Sequence, residues 1–428
     1  MSTRRWALAM LLPCLLSLTG CLGPMSGSDR RPASSPEDIP APVVLSFWNP
    51  FGGGEGEYVE RIIADFNASQ SGIFVKQLRL ESNEYYARLG TALSFGSGPD
   101  VAVVHADRLS PFVKAKRILP LDGPAAQAGF RFDEIEDANL RTVRFDGQYY
   151  AVPLDTHFHM LYYNKDILAQ AGLLNEDGTP QLGKGTAEEF VQFLQRIRDR
   201  VPEVQPIAVN TPYFHESFLD LYDEAGGELL SPDGKTATIH NDKAVRVLTF
   251  YRKLFAEGLS DLGDMTPWDT FDSGRAGLWF GGVWEAGHYL SNPSLNVGIA
   301  PLPPLFGSSA HWGSSHTLVI PAYATDKKQQ AAMAFIRYFS ETGSSLWGEA
   351  GHVPANKAVV QSRDYLQLPY RPLFLESRAT VKPAPKTDKY AALLTSLSED
   401  LQSIVRNGTD PDAGLAAAEK KLNQILAN

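Results

Sequence analysis

The chain has 428 residues, of which 43% are hydrophobic and 21% charged. That mix supports two or three packed units and excludes wholesale disorder. The formal net charge of −10 makes a poor surface for nonspecific contact with nucleic acid or anionic lipid, so no nucleic-acid partner is expected.

The start of the chain does not read as part of a fold. Arg4 and Arg5 form a positive region, and Trp6 to Thr19 is an apolar run, shorter than the roughly 20 residues that cross a bilayer as a helix. It ends in Leu18-Thr19-Gly20-Cys21, which resembles the bacterial lipobox. The resemblance implies removal of residues 1–20 as a lipoprotein signal peptide and acylation of Cys21, with palmitate-type chains anchoring the protein on the outer face of the cell membrane. Residues 21–42 are rich in proline, serine and glycine and read as a flexible tether. The other cysteine, Cys14, falls in the signal segment. The mature domain is therefore expected to use no disulfide, thiol nucleophile or cysteine metal site.

Val43 to Trp48 is a short apolar run suited to a buried strand. Gly52, Gly53, Gly54 and Gly56 follow, and then Tyr58, Val59, Ile62, Ile63 and Phe66 recur at helical spacing. Ile73 to Leu80 reads as a second strand, Tyr85 to Leu93 as a helix closed by Gly96 and Gly98, and Val101 to Val104 as a third strand. Alternating strands and helices predict a parallel sheet covered on both faces. Near the end, Tyr390, Leu393, Leu394, Leu397, Leu401, Ile404 and Val405 form one helical stripe. Asn407-Gly408 stops it, and Asp410-Pro411 starts a last helix reaching Leu426.

Catalytic motifs fail on inspection. The loop Gly52-Gly53-Gly54-Glu55-Gly56 lacks the Gly-Lys-Ser/Thr of a Walker loop and the third glycine of a dinucleotide fingerprint, and Glu55 and Glu57 would repel a phosphate. His215-Glu216-Ser217-Phe218-Leu219 has leucine where a zinc protease needs its second histidine. Gly313-Ser314-Ser315-His316-Thr317 lacks the closing glycine of a nucleophile elbow. His157 and His159 share a face of an extended segment, but a zinc site needs a further ligand and none stands nearby in sequence. No metal and no cofactor are expected. A pair of glycosidase carboxylates is left open by the sequence.

Four segments together resemble the family 1 extracellular solute-binding proteins, the sugar-capturing components of ABC importers. They are Gly98-Pro99-Asp100-Val101; Tyr150-Ala151-Val152-Pro153 followed by Tyr163-Asn164-Lys165-Asp166; Phe271 to Leu278; and Gly281-Gly282-Val283-Trp284. The resemblance runs from about Val43 to the C-terminus. It implies an α/β, two-lobe periplasmic-binding-protein-like fold (type II), with a ligand cleft between the lobes and three interlobe crossings. The crossings are expected near Pro153, Pro301–Pro303 and Gly343–Gly348. Lobe I would then comprise 43–153 and 302–343, and lobe II 154–301 and 344–428.

The resemblance also implies a non-catalytic, monomeric receptor that takes a mono- or oligosaccharide to a permease pair driven by an ATPase. A sugar site wants carboxylates and amides for hydroxyls and flat rings for the C–H face. Trp284 matches the family's stacking tryptophan, with Gly282 giving the ligand room, and Tyr213 matches a recurrent aromatic of the second lobe. Asp107 follows the third strand, and Asp155 and His157 follow the first crossing. Trp48 and Asn49 end the first strand, Glu55 sits in the glycine loop, and Glu81 and Ser82 end the second strand. Trp268, His316 and His352 complete the candidates. The recurrence of histidines departs from the sugar-binding pattern and admits an amino sugar or a phosphorylated polyol. The rivals are a glycoside-cleaving lipoprotein and an anion receptor using Arg79 or Arg108.

Overall fold

The computed structural model describes residues 41–80, 82–183 and 185–428. The signal segment, Cys21 and most of the tether lie outside them, as does Glu81. Ser82 is described only as the first residue of a helix.

Val43–Asn49 runs parallel to Ile73–Arg79 on one side and to Val101–His105 on the other. Helices Gly53–Ser69 and Ser82–Ser94 make the two crossovers. His316–Val319 then adds antiparallel to Val101–His105, and Val152–Pro153 closes this five-stranded sheet. Period-two alternation sets what each strand buries. Leu45 and Phe47 pack with Ile62, Phe66 and Phe335, while Trp48 turns to the opposite layer around Tyr85 and Leu89. Each such large apolar side chain removed from water contributes about 1.5–3 kcal/mol.

The second sheet is built on one strand, Asp155–Asn164, whose 10 residues are all buried. Ala276–Gly282 pairs with it antiparallel and carries the parallel strand Gln205–Ala208. Val297–Ala300, His311–Ser314 and Val353–Pro354 also pair with the long strand, and Val381–Lys382 lies beyond His311–Ser314. One face of the long strand changes character along its length. Asp155, His157 and His159 come first, whereas Leu161 and Tyr163 enter the main core of the lobe. Its other face, Phe158, Met160 and Tyr162, belongs to a separate apolar layer.

The C-terminal helices Tyr390–Asn407 and Pro411–Ala427 pack on that core. Gly408 ends the first in the left-handed conformation, φ 66°. The Asp410 carboxylate accepts from Ala413 N at 3.1 Å and caps the second. Among the described residues no helix is long and apolar enough to cross a membrane.

The chain passes between the sheets three times. Pro153 belongs to the first sheet and Asp155 to the second, so the first passage is at Leu154. Ser314 belongs to the second and His316 to the first, so the return is at Ser315. This corrects the expectation of a crossing at Pro301–Pro303. That stiff run stays with the second lobe because Leu302 and Leu305 are buried in its core. The third passage also falls later than Gly343–Gly348. Trp347 and Ala350 sit in the first lobe's core, and only Val353 joins the second sheet. Gly351 makes this last turn at φ 132°, where a Cβ would lie 1.9 Å from Val283 O, so the backbone admits only glycine there.

Candidate functional site: an aromatic cleft with a histidine floor

A cleft of about 830 Å³ opens between the lobes. The glycine loop and the start of helix Gly53–Ser69 form one wall, with Gly54, Glu55, Glu57, Tyr58 and Arg61. Tyr213, Glu216, Trp268, Trp279, Trp284 and Glu285 form the other, and His105, His157, His159 and His316 line the floor with Trp312.

Strand ends build the second wall. Gly281 and Gly282 close Ala276–Gly282 opposite Met160 and His159. A Cβ on Gly281 would lie 2.0 Å from Trp279 Nε1, and one on Gly282 2.2 Å from the Trp284 ring. The glycine pair thus leaves room for two indoles against the strand. Trp279 Nε1 donates to Glu285 Oε2 at 2.7 Å. Trp312 stacks on His159, ring centroids 5.1 Å apart.

Two buried ionic systems lie in the floor. In the first, Asp155, fully buried, lies 3.0 Å from His157 Nδ1 through Oδ1 and 2.8 Å from His316 Nδ1 through Oδ2. It also accepts from Trp347 Nε1 at 2.7 Å and from His316 N at 3.0 Å. Burial by itself would raise the Asp155 carboxyl, but the His316 and His352 imidazoles and the hydrogen bonds hold it well below the carboxylate range. Burial opposes a charge on His316 as well, yet Asp155 raises its pKa. Burial and the neighbouring His316 push His157 down to about 3, leaving it neutral. In the second system His159 Nδ1 lies 2.7 Å from Asp220 Oδ2. Burial disfavours its charge, but Asp220, Glu216 and Glu285 raise it to about 9. Burial pushes Glu216 and Glu285 up to about 7.

Of the residues proposed from sequence, Glu55, His157, Tyr213, Trp268, Gly282, Trp284 and His316 line the cleft. Five do not. Trp48 faces the opposite side of its strand, and its Nε1 donates to Ser46 Oγ at 3.1 Å. Asn49 is fully buried and turns the chain by accepting from Phe51 N at 3.2 Å. Asp107 accepts from Ser314 Oγ at 2.8 Å and lines a separate hollow. Asp155 lies beneath the floor, where its ring partners cover it. His352 is likewise fully buried, stacked on Trp347 at 3.8 Å between ring centroids. Glu81 lies outside the described residues, and no side-chain position is described for Ser82.

His105, His159, Glu216, Trp279, Glu285 and Trp312 also line the cleft and are not among the residues the sequence singles out for it. His105 ends the third strand, so the reasoning that selected Asp107 reaches it two residues earlier. His159 repeats the face of His157. In sequence Glu216 stands out only within the incomplete protease motif. Arg79 and Arg108 are not among the cleft lining, and the Arg108 guanidinium lies over the Tyr86 ring at 4.4 Å.

A family model of bacterial extracellular solute-binding proteins matches residues 61–372, and the chain belongs to that family. It is similar to the maltodextrin-binding protein MdxE of Bacillus subtilis, 24% identical over 385 residues, covering 87% of this chain and 85% of that protein. It is also similar to the diacetylchitobiose binding protein DasA of Streptomyces coelicolor, 26% identical over 362 residues, covering 81% and 80%. In structure it matches the GacH receptor of Streptomyces glaucescens with a TM-score of 0.81 at 20% identity, covering 90% of this chain and 99% of that one. The fold is the two-lobe periplasmic binding protein fold, and the protein is a binding protein rather than an enzyme.

Proposed function

We propose that this protein is the lipid-anchored receptor of an ABC importer and that its cleft captures a carbohydrate. The observation that carries the reading is the ring of Tyr213, Trp268, Trp279, Trp284 and Trp312 interleaved with Glu55, Glu216 and Glu285 around a cleft of about 830 Å³. Flat rings meet a sugar's C–H faces, and carboxylates accept from its hydroxyls. Relatives named for maltodextrin and diacetylchitobiose support the same ligand class. Binding draws the lobes together about the three passages, and the closed monomer is presented to the permease pair. Cys21 carries the acyl chains, and the tether holds the domain off the membrane surface.

The lining disfavours the anionic alternative. Arg61 is the one lysine or arginine among the lining residues, and its side chain is 58% exposed at the rim. The cation deeper in the cleft, His159, is already matched by Asp220 and Glu216.

The test is a melting-temperature screen of the mature domain against neutral oligosaccharides, amino sugars and phosphorylated polyols, followed by calorimetric titration. A true ligand at 100 times its Kd adds about 2.7 kcal/mol. Stabilisation by sugar phosphates alone would overturn the carbohydrate reading, and new reducing ends in the incubated samples would revive the hydrolase.

A further inference from the structure

Each of the three passages between the lobes delivers a metal-ligating side chain to one point. Asp155 and His157 follow the first passage at Leu154, His316 follows the second at Ser315, and His352 lies within the third. One ligand atom from each of the four lies within 4.8 Å of the others, and all four residues are buried. Hydrogen bonds between the passages fix the arrangement. Leu154 N donates to His316 O at 2.8 Å and Ala355 N to Leu154 O at 2.9 Å.

The hydrogen bonding of this cluster does not close on itself. A carboxylate has about four acceptor positions. Five groups point at Asp155: Trp347 Nε1, His316 N, and the Nδ1 atoms of His157, His316 and His352. His352 is the one left over. Its Nε2 lies 3.0 Å from Glu55 Oε2, the geometry of an Nε2–H donating to a carboxylate. Its Nδ1 is buried without a hydrogen-bond partner, 3.4 Å from Asp155 Oδ2. In that tautomer a nitrogen lone pair faces a buried carboxylate, a repulsion that a second ring proton or a metal ion between them relieves; Nδ1 lacks hydrogen-bond geometry to the carboxylate, which favours the ion.

We propose that Asp155, His157, His316 and His352 bind one divalent transition cation of the Zn²⁺ class. Three imidazole nitrogens and one carboxylate oxygen form a ligand set that Zn²⁺ takes in tetrahedral geometry, with bonds of about 2.0–2.2 Å. Tetrahedral bonds of that length set ligand atoms about 3.3–3.6 Å apart, which the 3.4 Å between His352 Nδ1 and Asp155 Oδ2 matches, while the 2.8 and 3.0 Å approaches of His316 and His157 are hydrogen-bond distances that must open for an ion to enter. Glu55 orients His352 through its far nitrogen, as a carboxylate does for a metal-bound imidazole. The Trp347 indole fixes the carboxylate by donating to Oδ2, the oxygen that also faces His316 and His352. The ion enters through the cleft, since His157 and His316 line it. Once bound it ties all three passages together, so the proposal places a metal at the hinge rather than at the sugar-contacting wall.

The experiment uses tag-free mature protein stripped with a chelator and titrated with Co²⁺ and Zn²⁺. The expected result is one Co²⁺ per chain with the intense visible absorption of a four-coordinate site, displaced by Zn²⁺. His316→Gln and His352→Gln should each abolish that absorption, and Glu55→Gln should weaken binding by about 10- to 100-fold. His240→Gln, remote on the surface, should leave it unchanged. Absence of saturable one-to-one binding would overturn the site. So would affinity unmoved by His316→Gln and His352→Gln, and the cluster would then be a hydrogen-bonded ion pair only. Should the floor variants fail to fold by circular dichroism, Glu55→Gln decides alone, and wild-type affinity in it overturns the proposal.

Discussion

Gly282 and Trp284 exclude each other's bulk: a methyl group on Gly282 would lie 2.2 Å from the indole ring. The backbone at Gly282, φ −75° and ψ 150°, would accept alanine. Gly282→Ala is therefore expected to act by swinging the ring, which is only partly buried, off its seat. Trp284→Ala removes the ring altogether. If the ring stacks on a sugar, the loss is on the scale of aromatic stacking, about 1–3 kcal/mol, or roughly 5- to 150-fold in affinity. Calorimetric titration should show the larger loss for Trp284→Ala and a smaller one for Gly282→Ala, both with near-native melting temperatures. A core tryptophan would instead cost about 3–5 kcal/mol of stability and leave affinity intact, and that pattern would remove Trp284 from the site.

Glu224 should set a slope in stability with pH. It is 2% exposed, and its Oε2 accepts from Phe306 N at 3.3 Å. Burial raises its pKa from an ordinary 4.5 to about 9. The protonated form is the one that folding favours, so this contribution is complete below the unfolded value and is lost as pH rises through about 9. Between those values it falls by about 1.4 kcal/mol per pH unit at most. Glu224→Gln mimics the protonated form. Melting curves should show it stabilised over wild type at pH 8 and nearly equal at pH 4. A constant difference across that range would show that Glu224 folds charged.

Much of the first lobe is legible in the sequence because its elements are local. The run Val43 to Trp48 and the stripe Tyr58 to Phe66 carry their own periodicity, and the observed strand and helix bracket them. The passages were harder. Pro301–Pro304 looks like a connector, but burial of Leu302 and Leu305 is a tertiary fact that no local pattern announces. The floor shows the same limit. His157 signals itself by its place after a crossing, whereas the depth of Asp155 depends on rings far along the chain. Trp48 and Asn49 end a strand, but a strand's end gives the edge of the sheet and not the face.

Ligand should compact the molecule. The cleft walls come from different lobes, so a sugar touching both stabilises the closed form by its differential affinity. Small-angle scattering with saturating ligand is expected to give a smaller radius of gyration than without. An unchanged radius would mean a rigid cleft.

Cys21→Ser should release the protein from membranes without altering its fold. The core begins at Leu45, beyond the tether. Fractionation of cells should move the variant from the membrane pellet to the soluble fraction. A variant still membrane-bound after a high-salt wash would locate the anchor elsewhere.

The strand Asp155–Asn164 also bears on the order in which the protein is made. Asp155 meets His316 across 161 positions of sequence and Trp347 across 192. Beyond His157, two residues on, its carboxylate therefore waits for most of the chain before these partners exist, and contacts this distant are slow to form. A nascent chain ending before His316 holds the first parallel strands but lacks the ring that completes the floor of the cleft. Completion of this buried cluster comes late in synthesis, and a chain cut short before His316 would hold the Asp155 carboxylate with His157 alone of the partners that face it.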